Sequence, residues 1–362
     1  MIKVGSDFSG VGAFNQALMR LGIEYKEFFA CDMDKYARQT FIHNYGHPEY
    51  YPTNVYERDI PSESLDIYMT SPPCQAFSLA GKRLGKDDKR GILFFNSYEF
   101  IQVNKPRYFI FENVKGLLSD DGGKTFQEWL NMLGGKSVNG VPIIFPYDES
   151  VPYHLYWKVL NAKEHGVPQN RERVFLIGIR DDNDNTFRFP IEESLTKRLK
   201  DVLEDDVDDK YFLSEKMLEL ISFKEKTNGE IANLNKGGER GSVYDSNSDS
   251  MSCLSSTDYK QPKQIMIGDY RTDEGFRWRA DGNSPAIMAM MRDTWKENFT
   301  GQNPPIINKD YKIRRLTPRE CFRLMDFPDT FTWPVSDSQA YKQAGNSIVV
   351  NVLYKILKNL PL

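Results

Sequence analysis

The sequence predicts an α/β fold, in which a domain with a mostly parallel sheet is followed by a smaller, irregular domain. Apolar runs with strand-like alternation are separated by helical patterns through the first half of the chain. That rhythm stops near Asp181, where Asn, Ser, Gly, Asp and Lys dominate, and it returns only at Leu316. Alternating strands and helices are typical of a parallel sheet, whose ligands bind at the carboxyl ends of the strands.

The first predicted unit is a strand, a glycine turn and a helix. Residues 2–8 alternate as a strand does, residues 9–12 read Ser-Gly-Val-Gly, and Phe14, Leu18 and Leu21 recur at helical spacing. Glycines let backbone approach a ligand closely, and free amides at a helix start attract polar or anionic groups. The turn is a candidate binding loop, although such turns serve structure as often as function.

Acidic residues follow the next strand and helix. Residues 28–31 are predicted to form a buried strand that ends at Asp32, a helix is predicted over 34–45, and Asp59 precedes Ile60. An acid at the end of the second strand is placed to accept hydrogen bonds from a ribose diol. Each acid alone is more simply a helix cap or turn residue, but together they indicate a nucleoside cofactor.

The third strand leads to a constrained cysteine. Residues 65–69 are strand-like, and residues 70–75 read Thr-Ser-Pro-Pro-Cys-Gln. Because two prolines fix successive φ angles and cannot continue a sheet ladder, Cys74 is displayed in a stiff turn at the strand's carboxyl end. The following residues 82–91 carry five cations and form a candidate phosphate-contacting lid.

An acid and two arginines extend the candidate site. Glu112 follows the apolar run 108–111, while Arg171 and Arg173 precede the predicted strand 174–179. Residues at alternate positions share one face of an extended chain, so the two arginines are expected to point the same way.

The residues leave several reactions open. Acyl transfer needs a histidine base, and none of the four histidines lies in a motif that would place it beside Cys74. Amino-group methylation of a nucleobase needs no covalent nucleophile, and its Pro-Pro turn is followed by an aromatic residue where this chain has Cys74. The pattern therefore favours attack of a thiol on a ring carbon.

Composition limits the remaining classes. The four cysteines contain no C-x-x-C pair and the histidines lack metal-ligand spacing, so we predict neither a disulfide framework nor a metal site. No apolar stretch is long enough to span a bilayer, which indicates a cytoplasmic protein. The net charge of −4 is weak evidence against a nucleic-acid partner, but residues 260–319 hold 12 Lys and Arg against 7 Asp and Glu.

Taken in order, the motifs resemble those of the cytosine-5 DNA methyltransferases of bacterial restriction-modification systems. The match covers nearly the whole chain and lies in six segments, at residues 7–12, 73–75, 112–114, 169–173, 315–321 and 343–347. The resemblance implies a Rossmann-like, S-adenosylmethionine-dependent catalytic domain over residues 1–190. It further implies a target-recognition domain over 191–313, a hinge and linking helix over 314–342, and a C-terminal helix over 343–362 that returns to the catalytic domain.

The same resemblance implies roles for individual residues. Cys74 would add to carbon 6 of a flipped-out cytosine, Glu112 would hold or protonate N3, and Arg171 and Arg173 would contact the flipped nucleotide. The implied cofactor-binding residues are Asp7, Phe8, Ser9, Gly10, Gly12, Asp32, Met33, Asp59, Ile60, Pro73, Leu93, Asn346 and Ser347. The implied DNA-contacting residues of the loop after the cysteine are Gln75, Ser78, Lys82 and Arg90.

The implied partner is double-stranded DNA, with a cognate restriction endonuclease acting on the same site, and a monomer is expected. Two rivals remain, a transfer-RNA cytosine-5 methyltransferase on the same scaffold and a catalytically silent DNA-binding relative. The chain lacks the Cys-Phe-Thr signature of the first, and it keeps the residues that the second would have lost. Two features depart from the family: Met33 replaces an aromatic residue, and no clear Thr-Leu pair precedes Leu316, with Ala286-Ile287 and Cys253-Leu254-Ser255 as candidate counterparts.

Overall fold

The computed structural model describes residues 1–73, 92–183, 185–214, 217, 222–227, 230–233, 242–246, 248–260, 262–267 and 312–362. Several predicted site residues lie outside these ranges: Cys74, Gln75, Ser78, Lys82, Arg90, Ala286 and Ile287. Within the described ranges, no helix has the length and apolar character needed to cross a membrane.

The fold is dominated by an eight-stranded sheet. Its strands in chain order are β1 (Ile2–Asp7), β2 (Tyr25–Cys31), β3 (Ile67–Thr70), β4 (Tyr108–Val114), β5 (Ser137–Val138), β6 (Val141–Pro142), β7 (Tyr153–Asn161) and β9 (Glu172–Arg180). They are arranged as β2-β1-β3-β4-β9-β7-β5-β6. Only β9 and β6 run against the common direction, which confirms the predicted α/β fold with a mostly parallel sheet.

Seven helices accompany the sheet within the described ranges. They are α1 (Ala13–Leu21), α2 (Lys35–Tyr45), α3 (Ile92–Asn104), α4 (Lys124–Leu133), α5 (Pro318–Arg323), α6 (Asp337–Asn346) and α7 (Val350–Lys358). Strand β4 shows how the sheet is covered on both faces, because Ile110 packs in one apolar cluster with helices α1 and α7 and Phe111 packs in another with α3 and α4. Burial of both faces explains the continuous apolar runs of the central strands.

The predicted strand-helix units are found with small shifts. The strand predicted over residues 2–8 is β1, and the helix predicted over 34–45 is α2, whose first turn is capped by the Asp34 side chain. The run predicted over 108–111 continues to Val114, so Glu112 lies inside β4 instead of beyond its end.

A second sheet forms within the segment predicted to be irregular. Strands β10 (Ser222–Thr227), β11 (Glu230–Asn233), β12 (Ser242–Asp245), β14 (Gln264–Ile267) and β15 (Lys312–Arg315) lie in that spatial order. A separate short pair joins β8 (Gln169–Asn170) to β13 (Met251–Ser252) in parallel, and it brings the segment back to the large sheet.

The C-terminal part returns to the first half of the chain. Thr317 caps helix α5 and Pro318 is its first residue. A single C-terminal helix is expected over residues 343–362, but Gly345 and Asn346 end α6, and Ser347 breaks the chain with an extended backbone before α7 begins at Val350. Helix α7 packs on α1, the helix that follows the first strand.

Candidate active site

The candidate site lies where strands β1, β3 and β4 end and the antiparallel strand β9 begins. Val114 is paired with Arg173 across β4 and β9. Residues 112–114, the acid motif, therefore meet residues 169–173, the arginine motif, at this edge of the sheet. Ser71 follows β3 at the same edge, and its hydroxyl donates to the Phe8 carbonyl at the end of β1 over 3.5 Å. The described part of the cysteine turn therefore begins between the first and fourth strands.

The glycine turn after β1 has an unusual backbone. Phe8, Gly10 and Gly12 all have positive φ angles, of 57°, 55° and 84°. At Gly12 a Cβ atom would lie 2.2 Å from the Tyr45 ring, whose hydroxyl donates to the Gly12 carbonyl over 2.9 Å. At Gly10 a Cβ atom would meet nothing within 4 Å among the described residues, so the turn leaves open space at that point. Gly12 is needed for packing, whereas Gly10 keeps backbone accessible to a ligand.

Asp32 holds this turn from the end of β2. Its carboxylate accepts from the Gly10 amide over 2.8 Å and from the Asp34 amide over 2.8 Å. Burial raises the pKa of Asp32, although these two amides act against the shift. The structure thus confirms that the glycine turn and the acid after β2 are neighbours.

Asp7 is used differently from the expectation. Its carboxylate is buried and accepts from Arg58 Nε over 2.9 Å and from the Tyr68 hydroxyl over 2.6 Å. Both oxygens are therefore engaged by protein groups below the glycine turn. Asp7 supports the turn as part of a buried ion pair, and sequence reasoning missed Arg58 because it lies in no motif.

The other predicted cofactor residues surround the turn with different exposures. Met33 is 86% exposed, and Asp59, Pro73 and Asn346 are also exposed. Phe8, Ser9, Ile60 and Leu93 are partly buried, and Ser347 is buried. The Asp59 backbone amide donates to the Tyr50 hydroxyl over 3.1 Å.

Glu112 and Arg173 form an ion pair at the edge of the sheet. Arg173 Nε lies 3.1 Å from Glu112 Oε1. Glu112 is buried, and burial raises its pKa even though Arg173 and Arg171 oppose the shift. A carboxyl group whose pKa is raised keeps its proton to a higher pH, so it can donate that proton in a hydrogen bond.

Asn113 links the acid motif to the cysteine turn. Its side-chain amide donates to the Pro72 carbonyl over 3.0 Å, while its side-chain oxygen accepts from the Val114 amide over 2.8 Å. Pro72 stands two residues before Cys74, so the root of the turn is fixed next to Glu112. The Glu-Asn-Val motif quoted from the sequence contained this residue, but no role could be assigned to it without the fold.

Arg171 lines the same small cavity as Arg173, but its guanidinium binds different partners. It is 3% exposed, and its guanidinium donates to the Leu254 carbonyl over 2.8 Å, to the Gly345 carbonyl over 3.1 Å and to the Ser347 carbonyl over 2.7 Å. The Arg171 guanidinium is thus occupied by backbone carbonyls, whereas Arg173 pairs with Glu112, and the expected contact of both arginines with a nucleotide stays a prediction. Burial lowers the pKa of Arg171, and the neighbouring charge of Arg173 adds to the effect.

Cys253 and Leu254, a candidate counterpart of the missing Thr-Leu pair, lie within the described residues. The Cys253 sulfur lies 3.0 Å from a terminal nitrogen of Arg171 and 3.8 Å from one of Arg173. The Leu254 amide donates to the Gln169 side chain over 3.0 Å. Residues 253–254 thus contact residues 169–173 directly.

The sheet, the glycine turn and the acid after β2 define a Rossmann-like methyltransferase. A family model described as C-5 cytosine-specific DNA methylase matches residues 2–361. The chain belongs to this family and is a DNA cytosine-5 methyltransferase.

Individual relatives agree with the family match. The chain is 33% identical to the Type II methyltransferase M.SsoII of Shigella sonnei, with 98% of this chain and 78% of the relative covered. It is 32% identical to the orphan methyltransferase M.SPRI of Bacillus phage SPR, with 99% and 97% covered. A solved structure of a DNMT2 mutant from Spodoptera frugiperda superposes with a TM-score of 0.71 at 22% identity, with 99% of each chain covered, and it shows a shared fold.

Proposed function

We propose that this chain transfers the methyl group of S-adenosylmethionine to carbon 5 of a flipped-out cytosine in a specific double-stranded DNA sequence, through a transient bond between Cys74 and cytosine C6. The observation that carries the proposal is the adjacency of the Glu112–Arg173 pair and the Asn113–Pro72 bond. Together they place an acid with a raised pKa beside the root of the cysteine turn. Attack on C6 requires the Cys74 thiol and the Glu112 carboxyl to reach the same cytosine ring.

Glu112 is proposed to act on cytosine N3. When a thiolate adds to C6, negative charge flows into the ring toward N3 and the exocyclic oxygen. A protonated or hydrogen-bonding carboxyl at N3 neutralises that charge, and the raised pKa of Glu112 suits it to this task. Carbon 5 then becomes nucleophilic enough to accept a methyl group.

Arg173 is proposed to orient Glu112 and to hold the target base. Its Nε–H is within 3.1 Å of Glu112, and one of its terminal nitrogens donates to the Glu172 carbonyl over 2.8 Å, so the guanidinium plane is fixed. A fixed guanidinium also supplies the positive potential that lowers the pKa of a nearby thiol. After methyl transfer, loss of the C5 proton and departure of the Cys74 sulfur release the product.

The residues around the glycine turn fit S-adenosylmethionine. The backbone beside Gly10 is open, and Asp32 places a carboxylate at the end of β2, where a ribose is usually held. We propose the following residues as those that hold the cofactor: Phe8, Ser9, Gly10, Gly12, Asp32, Met33, Asp59, Ile60, Pro73, Leu93, Asn346 and Ser347. When bound, the cofactor supplies an electrophilic methyl group.

The target base must leave the duplex before any of these groups can reach it. Base flipping costs a few kcal/mol, which contacts to DNA must offset. We propose that Gln75, Ser78, Lys82 and Arg90 contribute on the loop after Cys74 and that residues 191–313 read the sequence. A chain with this activity would act as a monomer on cytoplasmic DNA, beside an endonuclease of the same specificity.

The covalent step can be trapped directly. Bisulfite sequencing of DNA from cells that express the chain first identifies the methylated cytosine and its context. A duplex with 5-fluorocytosine at that position should then form a denaturation-resistant complex, because fluorine cannot leave as the C5 proton does. Cys74→Ala should give neither complex nor product while it still binds the cofactor, and Cys74→Ser should be nearly as inactive, since an alcohol is a poor nucleophile without a base.

A different thiol provides the control. Cys321 is buried in α5, and burial raises its pKa. Cys321→Ala should therefore still form the complex. Methylated product from purified Cys74→Ala would disprove the nucleophile assignment.

A further inference from the structure

We propose that Arg171 is a positioning residue that joins the recognition segment to the helix end on the cofactor side, and that it does not touch the nucleotide. The inference rests on the proposed function and concerns how its two binding sites are held together. It follows from the three backbone carbonyls that one buried guanidinium contacts, because these carbonyls belong to distant parts of the chain.

The first contacted segment is the strip that follows β13. Leu254 is held on both sides of its backbone, since its amide donates to Gln169 over 3.0 Å and its carbonyl accepts from Arg171 over 2.8 Å. Gln169 also donates to the Leu324 carbonyl at the end of α5 over 2.8 Å. Leu254 therefore cannot shift without breaking contacts to the arginine motif.

The second contacted segment is the junction between α6 and α7. Arg171 reaches the carbonyls of Gly345 and Ser347, which lie on either side of Asn346. Asn346 and Ser347 are proposed cofactor residues, so the Arg171 guanidinium fixes the backbone that carries them. The junction is tied to the first half of the chain as well, because Lys342 pairs with Asp34 over 2.6 Å and Thr40 donates to Gln343 over 3.0 Å.

The two segments also touch each other directly. A Cβ atom built on Gly345 would lie 2.3 Å from the Ser255 carbonyl oxygen and 2.6 Å from the Ser256 amide nitrogen. Gly345 has no positive φ angle, so it is glycine because of this close approach of backbone. Arg171, Leu254, Gly345, Ser255 and Ser347 thus form one packed junction.

Arg171 is itself rigidly placed. Its amide donates to Asn161 over 3.1 Å, and its carbonyl accepts from the Ala162 amide over 3.0 Å. With the backbone fixed and the terminal nitrogens committed to carbonyls, the side chain has no route to a base at the site edge. Arg173, two residues later, lies on the side of Glu112. Alternate positions share one face of the chain, and on that face Arg171 binds the junction while Arg173 pairs with Glu112.

The consequence is a coupling of affinities. Loosening the junction frees both the cofactor-side turn and the recognition segment, so both binding steps should weaken together. Loss of the Arg173 contact should instead lower the rate of the bound complex. A purely structural role would destabilise the fold without this difference between the two variants.

The test compares Arg171→Lys and Arg171→Met with Arg173→Lys. Isothermal titration with S-adenosylhomocysteine and a fluorescence assay with the target duplex give the two affinities, and steady-state assays give kcat and KM. Arg171→Met should weaken both affinities at least about tenfold, since it removes charge-assisted bonds to buried carbonyls. Arg171→Lys, which keeps the charge and one or two donors, should restore part of both. Arg173→Lys should lose kcat with cofactor affinity unchanged.

Gly345→Ala acts on the junction from its other side. It should weaken the same two affinities, and its effect combined with Arg171→Lys should be smaller than the sum of the single effects, because both act on one junction. Circular dichroism melts verify that each variant is folded. Arg171 variants that keep both affinities and lose only kcat would overturn the inference, whereas a wild-type protein without cofactor binding would overturn the proposed function instead.

Discussion

Glu112 owes its chemistry to its burial on β4. Desolvation raises the pKa of this carboxyl, with Arg173 and Arg171 acting in the opposite direction, so the protonated form persists to a higher pH than usual. Its contribution to catalysis is present below that raised pKa and is lost as the pH rises through it. We expect Glu112→Gln to lower kcat by about 10²- to 10⁴-fold, as for loss of a general acid, with cofactor affinity unchanged.

The pH dependence of kcat/KM, measured with radiolabelled methyl donor, provides the check. The fall of kcat/KM with rising pH that is assigned to Glu112 should vanish in the variant. Glu172→Gln is a matched control, because that exposed neighbour pairs only with Lys115 at the surface over 2.8 Å among described groups. An unchanged rate in Glu112→Gln would remove this residue from the mechanism.

Glu27 is a partly buried acid on β2 with a buried carboxyl oxygen. Its Oε2 accepts from Asn15 over 2.8 Å, whereas its Oε1 has no partner among the described residues, and burial raises its pKa to about 8. Because the folded pKa lies above the unfolded one, the folded state gains protons relative to the unfolded state. Stability from this group is complete below the unfolded pKa and is lost as the pH rises toward 8, at up to about 1.4 kcal/mol per pH unit.

Glu27→Gln should flatten this slope. Urea unfolding measures the free energy of unfolding at several pH values between about 5 and 9, a range that spans the unfolded and folded pKa values of Glu27. Glu24→Gln, at an exposed position before β2, should leave the slope as it is. A slope that survives in Glu27→Gln would have to come from another group.

At the scale of elements, the entry to α5 is a clear case of local specification. The Thr317 hydroxyl accepts from the Glu320 amide over 3.2 Å, and Glu320 accepts from the Thr317 amide over 2.8 Å. Glu320 also forms a bidentate ion pair with buried Arg314, which joins the helix to strand β15. Glu320 therefore both caps α5 and connects this helix to strand β15 of the second sheet.

Thr317→Ala should lower the free energy of unfolding by about 0.5 to 2 kcal/mol, the usual cost of a lost N-cap. Ser336→Ala is the control, because Ser336 precedes α6 but its side chain makes no capping bond to described backbone. Denaturant titration of both variants gives the comparison. Equal losses would mean that the Thr317 cap contributes nothing of its own.

Sequence patterns predicted elements well where the cause is local. The strands around Val4, Phe29 and Phe109 and the α5 cap follow from alternation and capping residues, which act within a few positions. The prediction of a single C-terminal helix was wrong, because a Gly-Asn-Ser run can close a helix as well as open one. The packing of Gly345 against Ser255, a contact between distant segments, accompanies the end of α6. The distinct roles of Arg171 and Arg173 were beyond the sequence for the same reason, since their partners come from remote segments.

At the scale of the whole molecule, segment 191–313 is attached to the candidate site at a defined place. The strip from Met251 to Leu254 contacts the arginine motif through β8 and Gln169. We expect exchange of residues 191–313 for the segment of a relative to transfer the relative's DNA specificity. A chimera that retains residues 248–260 should keep the cofactor affinity of the parent better than one that exchanges them.

Methylation patterns from bisulfite sequencing and titration with S-adenosylhomocysteine test these two expectations separately. An unchanged pattern after exchange would show that residues 191–313 do not read the DNA. Equal cofactor affinity in both chimeras would show that the strip at 251–254 is not the point of attachment.

The union of the two chain halves at one site has a consequence during protein synthesis. Lys342 and Gln343 meet Asp34 and Thr40 across 308 and 303 residues of sequence, and α7 covers α1. A nascent chain can build the first strands before residues 337–358, which form the helices that cover them, have been synthesised. We expect a chain cut short before Asp337 to leave the apolar face of α1 uncovered and therefore to be inactive and readily proteolysed.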